Sequence, residues 1–105
     1  MRGHKMIKMM TKEIMAEMPD LYSQDGLGYE AVAVVKFFSP YTGWEWYGTE
    51  FDGEDTFFGL VKGFETELGY FSLRELTEAQ ISIGGTRVPA VERDLYWTPT
   101  KLSEV

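Results

Sequence analysis

Two aromatic-rich runs, residues 44–51 and 56–61, flank the turn sequence Asp52-Gly53-Glu54-Asp55. Aromatic and β-branched residues favour a pleated, half-buried surface, and Asp-Gly between two such runs is typical of a β-hairpin. The sequence therefore predicts two antiparallel strands joined by this turn. With alternating side chains, one face of the first strand carries Tyr47, Thr49 and Phe51, and the other carries Trp44, Trp46 and Glu50. Since both faces hold aromatic rings, we expect both to be covered, at least in part.

The rest of the chain predicts two short helices and further strands. Thr11 is a good N-cap for a helix that Pro19 ends, and Ser72 and Glu75 form the capping box of a second helix. The other predicted segments are a loop over 19–28, a strand over 30–38 buried on both faces, a turn at Gly84-Gly85, and a last strand over 91–97. We therefore predict an α+β fold over residues 1–105: a small single domain with an antiparallel sheet of four to five strands and two short helices packed on it.

Composition limits where such a domain can work. The chain has no cysteine, which excludes disulfides and thiolate metal sites and favours a reducing compartment. No apolar run is long enough to cross a bilayer, so we expect no membrane contact. Residues 1–10 are basic and rich in methionine but lack the apolar core and cleavage site of a signal peptide. They predict either a packed helix or a flexible arm.

Negative charge is concentrated around the hairpin. The net charge is −7, and seven acidic residues lie between positions 45 and 67 against a single base, Lys62. Such a chain is poorly suited to direct binding of nucleic acid, which needs clustered Lys and Arg, and a basic protein surface is the more natural partner. The acidity also argues against Trp44, Trp46 and Tyr47 as a platform for stacked bases. We interpret these three as core residues.

No motif in the sequence indicates catalysis. His4 is the single histidine, and no nucleophile elbow, zinc-protease motif, phosphate loop or dinucleotide fingerprint occurs. The acidic turn at residues 52–55 superficially suggests calcium, but the ligand spacing of an EF-hand is absent. Carboxylates could act as an acid–base pair only if they faced each other across a cleft, and nothing in the sequence places any two that way. We therefore expect no enzyme, no metal and no cofactor.

Several runs of the sequence carry a family resemblance. They read KFFSP followed by WEWY, EFDGEDTFFGLV, GFETELGYFSL and, near the end, ERDLYW. From residue 11 onward the chain resembles a family of short acidic bacterial proteins of unknown function that are common on plasmids, phages and conjugative elements. It is also similar to anti-CRISPR proteins that act against type II RNA-guided nucleases. The resemblance implies a cytoplasmic protein of a bacterial host cell and names no catalytic residue.

The resemblance and the charge together imply a function. We expect a non-enzymatic anti-CRISPR inhibitor that binds a type II nuclease or its guide-RNA complex through an acidic surface, because such nucleases hold guide and target in positively charged channels. The predicted partner-binding residues are Glu45, Glu50, Asp52, Glu54, Asp55, Glu65 and Glu67. Two alternatives stay open. One is an accessory module of a mobile genetic element that binds another basic protein, and the other is a metal-dependent nuclease that acts on guide RNA.

Overall fold

The predicted hairpin lies in the middle of an antiparallel sheet in the structure, a computed structural model that describes residues 8–105. The elements are α1 (Lys12–Glu17), β1 (Val32–Ala33), β2 (Val35–Phe38), β3 (Glu45–Phe51), β4 (Thr56–Lys62), β5 (Thr66–Ser72), α2 (Leu73–Glu78), β6 (Gln80–Ile83), β7 (Thr86–Pro89), β8 (Glu92–Arg93) and β9 (Thr100–Lys101), with 3-10 turns at Gly28–Glu30 and Leu102–Glu104. The predicted α+β class is confirmed, with five strands in the main sheet and two short α-helices in the described part.

The order of strands places the hairpin between two edges. The main sheet runs β5-β4-β3-β2-β8, and each neighbouring pair is antiparallel. The pairs β1-β9 and β6-β7 form two small separate sheets. One edge of the main sheet is therefore the seven-residue strand β5, and the other is the two-residue strand β8.

One face of the main sheet carries the larger core. Phe37 and Phe57 are fully buried with ring centroids 5.5 Å apart, and Phe57 also stacks on Phe51 and Phe71. The residues that cover these rings from α1, α2 and the adjoining segments include Met10, Ile14, Met18, Leu76 and Val91. Burial of these apolar surfaces against the aromatic strands fixes both helices on the same face of the sheet.

The opposite face carries a second, smaller core. Tyr47 and Leu60 pack there against Ala33 and Leu102. Trp97 closes this cluster, since its indole N–H donates to the carbonyl oxygen of Ala33 at 2.9 Å and its ring lies 5.5 Å from that of Tyr47. The expectation that both faces of the sheet are covered is confirmed.

The predicted alternation of side chains along β3 is wrong beyond Gly48. The register with β4 shifts between Gly48 and Glu50, and the hydroxyl of Thr49 at this bulge donates to a β4 carbonyl oxygen at 3.0 Å. An extra residue in one strand reverses the faces of all residues that follow it. Tyr47 consequently belongs to the smaller core and Phe51 to the larger one, although the sequence pattern placed them together.

Two other strands are shorter than predicted. The strand expected over 30–38 is interrupted at Val34, so that β1 pairs with β9 while β2 pairs with β3 and β8. The strand expected over 91–97 is reduced to β8, because the carboxylate of Asp94 accepts the backbone N–H of Tyr96 at 3.0 Å and turns the chain. A side chain that bonds its own backbone in this way competes with the strand ladder.

The predicted helix starts are confirmed. The hydroxyl of Thr11 caps α1 by accepting the N–H of Ile14 at 3.1 Å, and that of Ser72 caps α2 by accepting the N–H of Glu75 at 3.1 Å. For residues 1–10, the choice between helix and arm falls largely on positions 1–7, outside the described residues. Within residues 8–105, no helix is long and apolar enough to span a membrane.

Candidate protein-binding surface

The hairpin separates the predicted binding residues instead of collecting them. Asp52, Glu54 and Asp55 lie at the β3–β4 turn. Three others lie at the opposite end of the sheet, at the start of β3 (Glu45), in the β4–β5 turn (Glu65) and on β5 (Glu67). Six residue steps of ~3.4 Å along a strand separate these ends by roughly 20 Å. Glu50 is close to the turn but is 3% exposed. The seven acids therefore do not form one continuous patch.

The carboxylate of Asp52 is used by the turn itself. One of its oxygens accepts the backbone N–H groups of Glu54 and Asp55, both at 2.8 Å, and that of Thr56 at 3.0 Å. These hydrogen bonds, with that of Asp55 the strongest, hold the pKa of Asp52 below its ordinary value. The residue therefore stabilises the turn that the sequence predicts.

Asp55 connects the turn to α2. Its carboxylate accepts the hydroxyl of Ser72 and the backbone N–H of Arg74, both at 2.7 Å, and its carbonyl oxygen accepts the N–H of Leu73 at 2.8 Å. The bond from Ser72 and then that from Arg74 lower the pKa of Asp55. An anion at the first turn of a helix is also favoured by the orphan N–H groups there. Asp55 is thus an additional cap of α2, supplied from another element.

Glu50 holds the loop that follows α1. Its two carboxylate oxygens accept the backbone N–H groups of Tyr22 and Gln24, each at 2.8 Å, and the side chain of Gln24 donates to the carbonyl oxygen of Thr49 at 2.8 Å. Tyr22 has a positive φ of 72°, a backbone conformation that these bonds help to maintain. Since Glu50 is buried and occupied, it is not available to the side chains of a partner.

Glu45 is partly neutralised by its surroundings. It accepts the hydroxyl of Tyr47 at 2.6 Å and lies 3.7 Å from the ammonium of Lys36, which also lies 3.9 Å from Asp94. Burial, followed by the hydrogen bond to Glu45, raises the pKa of Tyr47. Glu45 therefore belongs to a cluster of compensated charges against the smaller core.

Glu54, Glu65 and Glu67 present their carboxylates to solvent. All three residues are exposed, and none forms an ion pair with another residue of the described part. Glu65 belongs to the three-residue turn before β5, and Glu67 is the second residue of β5. These three residues are the predicted acids best able to meet a partner.

An aromatic groove lies beside Glu65 and Glu67. It has a volume of about 370 Å³, and its aromatic lining is Trp44, Phe64 and Tyr70. Phe64 is 94% exposed, and its ring meets that of Trp44 edge to face with centroids 5.2 Å apart. The Trp44 ring lies so close to Gly63 that an added Cβ would approach within 2.6 Å of it. An aromatic groove rimmed by carboxylates that form no ion pair within residues 8–105 is the clearest feature of this end of the molecule.

One comparison with known proteins finds a match. Residues 7–104 match the model of a family described as "Protein of unknown function (DUF2958)". The chain belongs to this family. No curated protein and no solved structure matches the chain. The matched segment includes both hairpin ends and all seven predicted binding residues, while the description of the family names no activity.

The aromatic members of the groove were not predicted as a surface. Trp44 was interpreted as a core residue but is only half-buried, and Phe64 and Tyr70 received no role. The sequence does contain one indication that Phe64 is exposed. It lies in a Gly-Phe-Glu segment between two strand-forming runs, and residues of such a turn lie at the surface. In residues 8–105, no group of three or more His, Cys, Asp or Glu side chains could hold a metal ion.

Proposed function

We propose that this DUF2958 protein is a non-enzymatic inhibitor of a type II RNA-guided nuclease, and that it binds the nuclease or its guide-RNA complex at the groove beside Glu65 and Glu67. The observation that supports the proposal is the combination of two exposed carboxylates, which form no ion pair with residues 8–105, with the exposed ring of Phe64 and the half-buried ring of Trp44. Type II nucleases hold guide and target in positively charged channels, which are complementary in sign to this surface.

The chemistry of the groove suits protein recognition. Aromatic side chains supply much contact area at little cost in conformational entropy, and they are enriched among the residues that dominate binding energy. Carboxylates at the rim increase the association rate with a basic partner and oppose acidic ones. Arg and Lys side chains can also lie over the faces of Trp and Tyr rings. Phe64 and Trp44 would act as anchors, and Glu65 and Glu67 would select a cationic partner.

The test is inhibition of DNA cleavage by type II nucleases from several bacteria, with the protein added before or after the guide RNA. We expect Glu65→Lys/Glu67→Lys to raise the concentration needed for inhibition by at least about tenfold, since each reversal replaces attraction with repulsion. The matched control is Glu17→Lys/Glu54→Lys, which makes the same change of charge on two exposed residues near the other end of the hairpin. It should inhibit like the wild type.

Each other outcome has a definite meaning. Loss of inhibition only in the control would move the binding surface to the β3–β4 turn. Equal inhibition by all three proteins would exclude both acidic ends. If the wild type inhibits none of the nucleases, the proposed function is wrong and the accessory-module alternative takes its place. A pull-down from the native host would then be expected to recover a different basic protein.

A further inference from the structure

The groove lies along a sheet edge that is open in the described part of the chain. The edge strand β5 is seven residues long, and Thr66, Glu67 and Tyr70 on it are exposed. No backbone bond from residues 8–105 joins β5 to any element other than β4 and the adjoining turns. Lys8, the first described residue, lies at the opposite edge, where its carbonyl oxygen accepts the side chain of Arg93 at 2.8 Å.

The register with β4 decides which backbone groups of β5 point outward. The paired strands are bracketed by two hydrogen bonds, from Gly63 N–H to the carbonyl oxygen of Glu65 at 3.0 Å and from Leu73 N–H to that of Asp55 at 2.8 Å. Bonded and non-bonded pairs alternate between antiparallel strands. The bonded pairs are therefore 57 with 71, 59 with 69 and 61 with 67. The N–H and C=O groups of Thr66, Leu68 and Tyr70 consequently point away from β4.

Side chains along β5 point alternately to the two faces of the sheet, and one of these faces carries the groove. Glu67 and Gly69 lie on the side of the sheet that also holds Val61, and together with Trp44 they line the groove. A Cβ added at Gly69 would meet nothing within 4 Å, so the groove is open at that position. An extended chain laid beside β5 would place every second side chain into this acidic and aromatic groove.

We propose that β5 binds an extended segment of a partner protein by strand addition, and that this segment carries Lys or Arg at alternate positions. The cationic side chains would pair with Glu67 and Glu65 and lie against Trp44, while the intervening residues would be neutral. The identity of the partner as a nuclease rests on the proposed function. The inference that the bound segment is basic and extended is drawn from the β5 edge alone. A second copy of this chain is disfavoured as the occupant because pairing two β5 strands would concentrate their carboxylates.

A peptide titration tests this mode of binding directly. The probe is a short capped peptide of alternating Lys and Val, followed by amide hydrogen exchange and chemical shifts of the isotope-labelled protein. We expect exchange at Thr66, Leu68 and Tyr70 to slow by roughly tenfold or more at saturation, while the amides of Glu67 and Gly69, already bonded to β4, change little. A Lys-Pro repeat of equal charge, which lacks half of the N–H donors and favours polyproline II, should bind roughly tenfold more weakly.

Two pairs of variants complete the test. Thr66→Pro removes one outward N–H at a strand start that tolerates proline, and Thr66→Val keeps it. Gly69→Trp fills the groove, and Gly69→Ala leaves it open. We expect the first member of each pair to bind the peptide and to inhibit the nuclease about tenfold less well than its control, with the same thermal unfolding midpoint.

The outcomes separate this inference from the proposed function. Equal binding of the Lys-Val and Lys-Pro peptides, or binding without protection of the three outward amides, would overturn strand addition. If the wild type sediments as a dimer and Thr66→Pro sediments as a monomer, the occupant of β5 is a second copy of this chain and not a basic segment. Full nuclease inhibition by Thr66→Pro and Gly69→Trp would also overturn strand addition and would move the binding surface away from the groove, while the inhibitory activity in the proposed function stands. Protected amides with the peptide, but no inhibition of any nuclease, would support strand addition and remove the proposed function.

Discussion

At the scale of single residues, adding one methyl group to Gly59 or to its cross-strand neighbour Gly69 should have different effects on stability. A Cβ at Gly59 would overlap the carbonyl oxygen of Tyr47, whereas one at Gly69 would meet nothing within 4 Å. Gly59→Ala should therefore lower the free energy of unfolding by about 3 kcal/mol, because a backbone cannot move aside as a flexible side chain does. Gly69→Ala should leave it unchanged or raise it by about 0.5 kcal/mol. Urea denaturation of the two variants measures both, and similar values would contradict the close approach of β3 and β4.

Which acidic side chains are buried and which are exposed could not be predicted from the sequence. Glu50 and Glu67 both lie among apolar residues in strand-forming runs, yet Glu50 is buried against two backbone N–H groups and Glu67 is exposed. The difference arises from the bulge at Thr49, which directs Glu50 toward the loop after α1. Neither the bulge nor the distant loop leaves a local signal in the pattern. Net charge was predictable, but which carboxylates reach solvent was not.

At the scale of elements, Asp55 should make the junction between the hairpin and α2 sensitive to acid. Its hydrogen bonds from Ser72 and Arg74 lower its pKa from the ordinary value of 3.8. A carboxyl with a lower pKa in the folded state stabilises the fold at higher pH, and this contribution is lost as the pH falls below 3.8 and through the folded pKa. Asp55→Asn should thus lower the thermal midpoint at neutral pH, and the difference from the wild type should shrink as the pH falls below 3.8.

A matched control distinguishes this effect from loss of charge alone. Glu54→Gln removes a neighbouring charge whose carboxylate is exposed, and its thermal midpoint should follow that of the wild type at every pH. A difference between Asp55→Asn and wild type that stays constant from neutral pH to well below 3.8 would contradict the assigned role. It would then be the geometry of the side chain, rather than its ionised form, that stabilises α2.

Elements with local signals were predicted and those with distant partners were not. The cap at Ser72 and the turn at residues 52–55 depend on residues close in sequence, and both are present. The second cap of α2 comes from Asp55, 17 positions before Ser72, so no local pattern could indicate it. Strand β9 was not predicted for the same reason, because its two residues form a strand only by pairing with β1. Tertiary contacts determine these elements.

At the scale of the whole molecule, the sheet is stabilised from both sides, and its second core depends on the end of the chain. Leu102 is 2% exposed and packs with Ala33, Tyr47 and Leu60 on the face opposite the helices. Its backbone N–H also donates to the carbonyl oxygen of Ala31 at 3.0 Å. The sequence predicted that both faces of the sheet are covered but left residues 101–105 unassigned. A segment too short to fold alone therefore covers part of one face.

Shortening the side chain of Leu102 should consequently destabilise the whole domain and not only residues 101–105. Leu102→Ala should lower the free energy of unfolding by about 2–4 kcal/mol, since it removes buried methyl groups and leaves a cavity beside Tyr47 and Leu60. Leu95→Ala, at a residue that is 53% exposed, should change it by less than about 0.5 kcal/mol. Chemical denaturation followed separately by tryptophan fluorescence and circular dichroism measures both variants. A single shifted transition in both signals is expected, because the two cores share the strands between them, whereas an early transition in fluorescence alone would mean that the C-terminal segment unfolds independently.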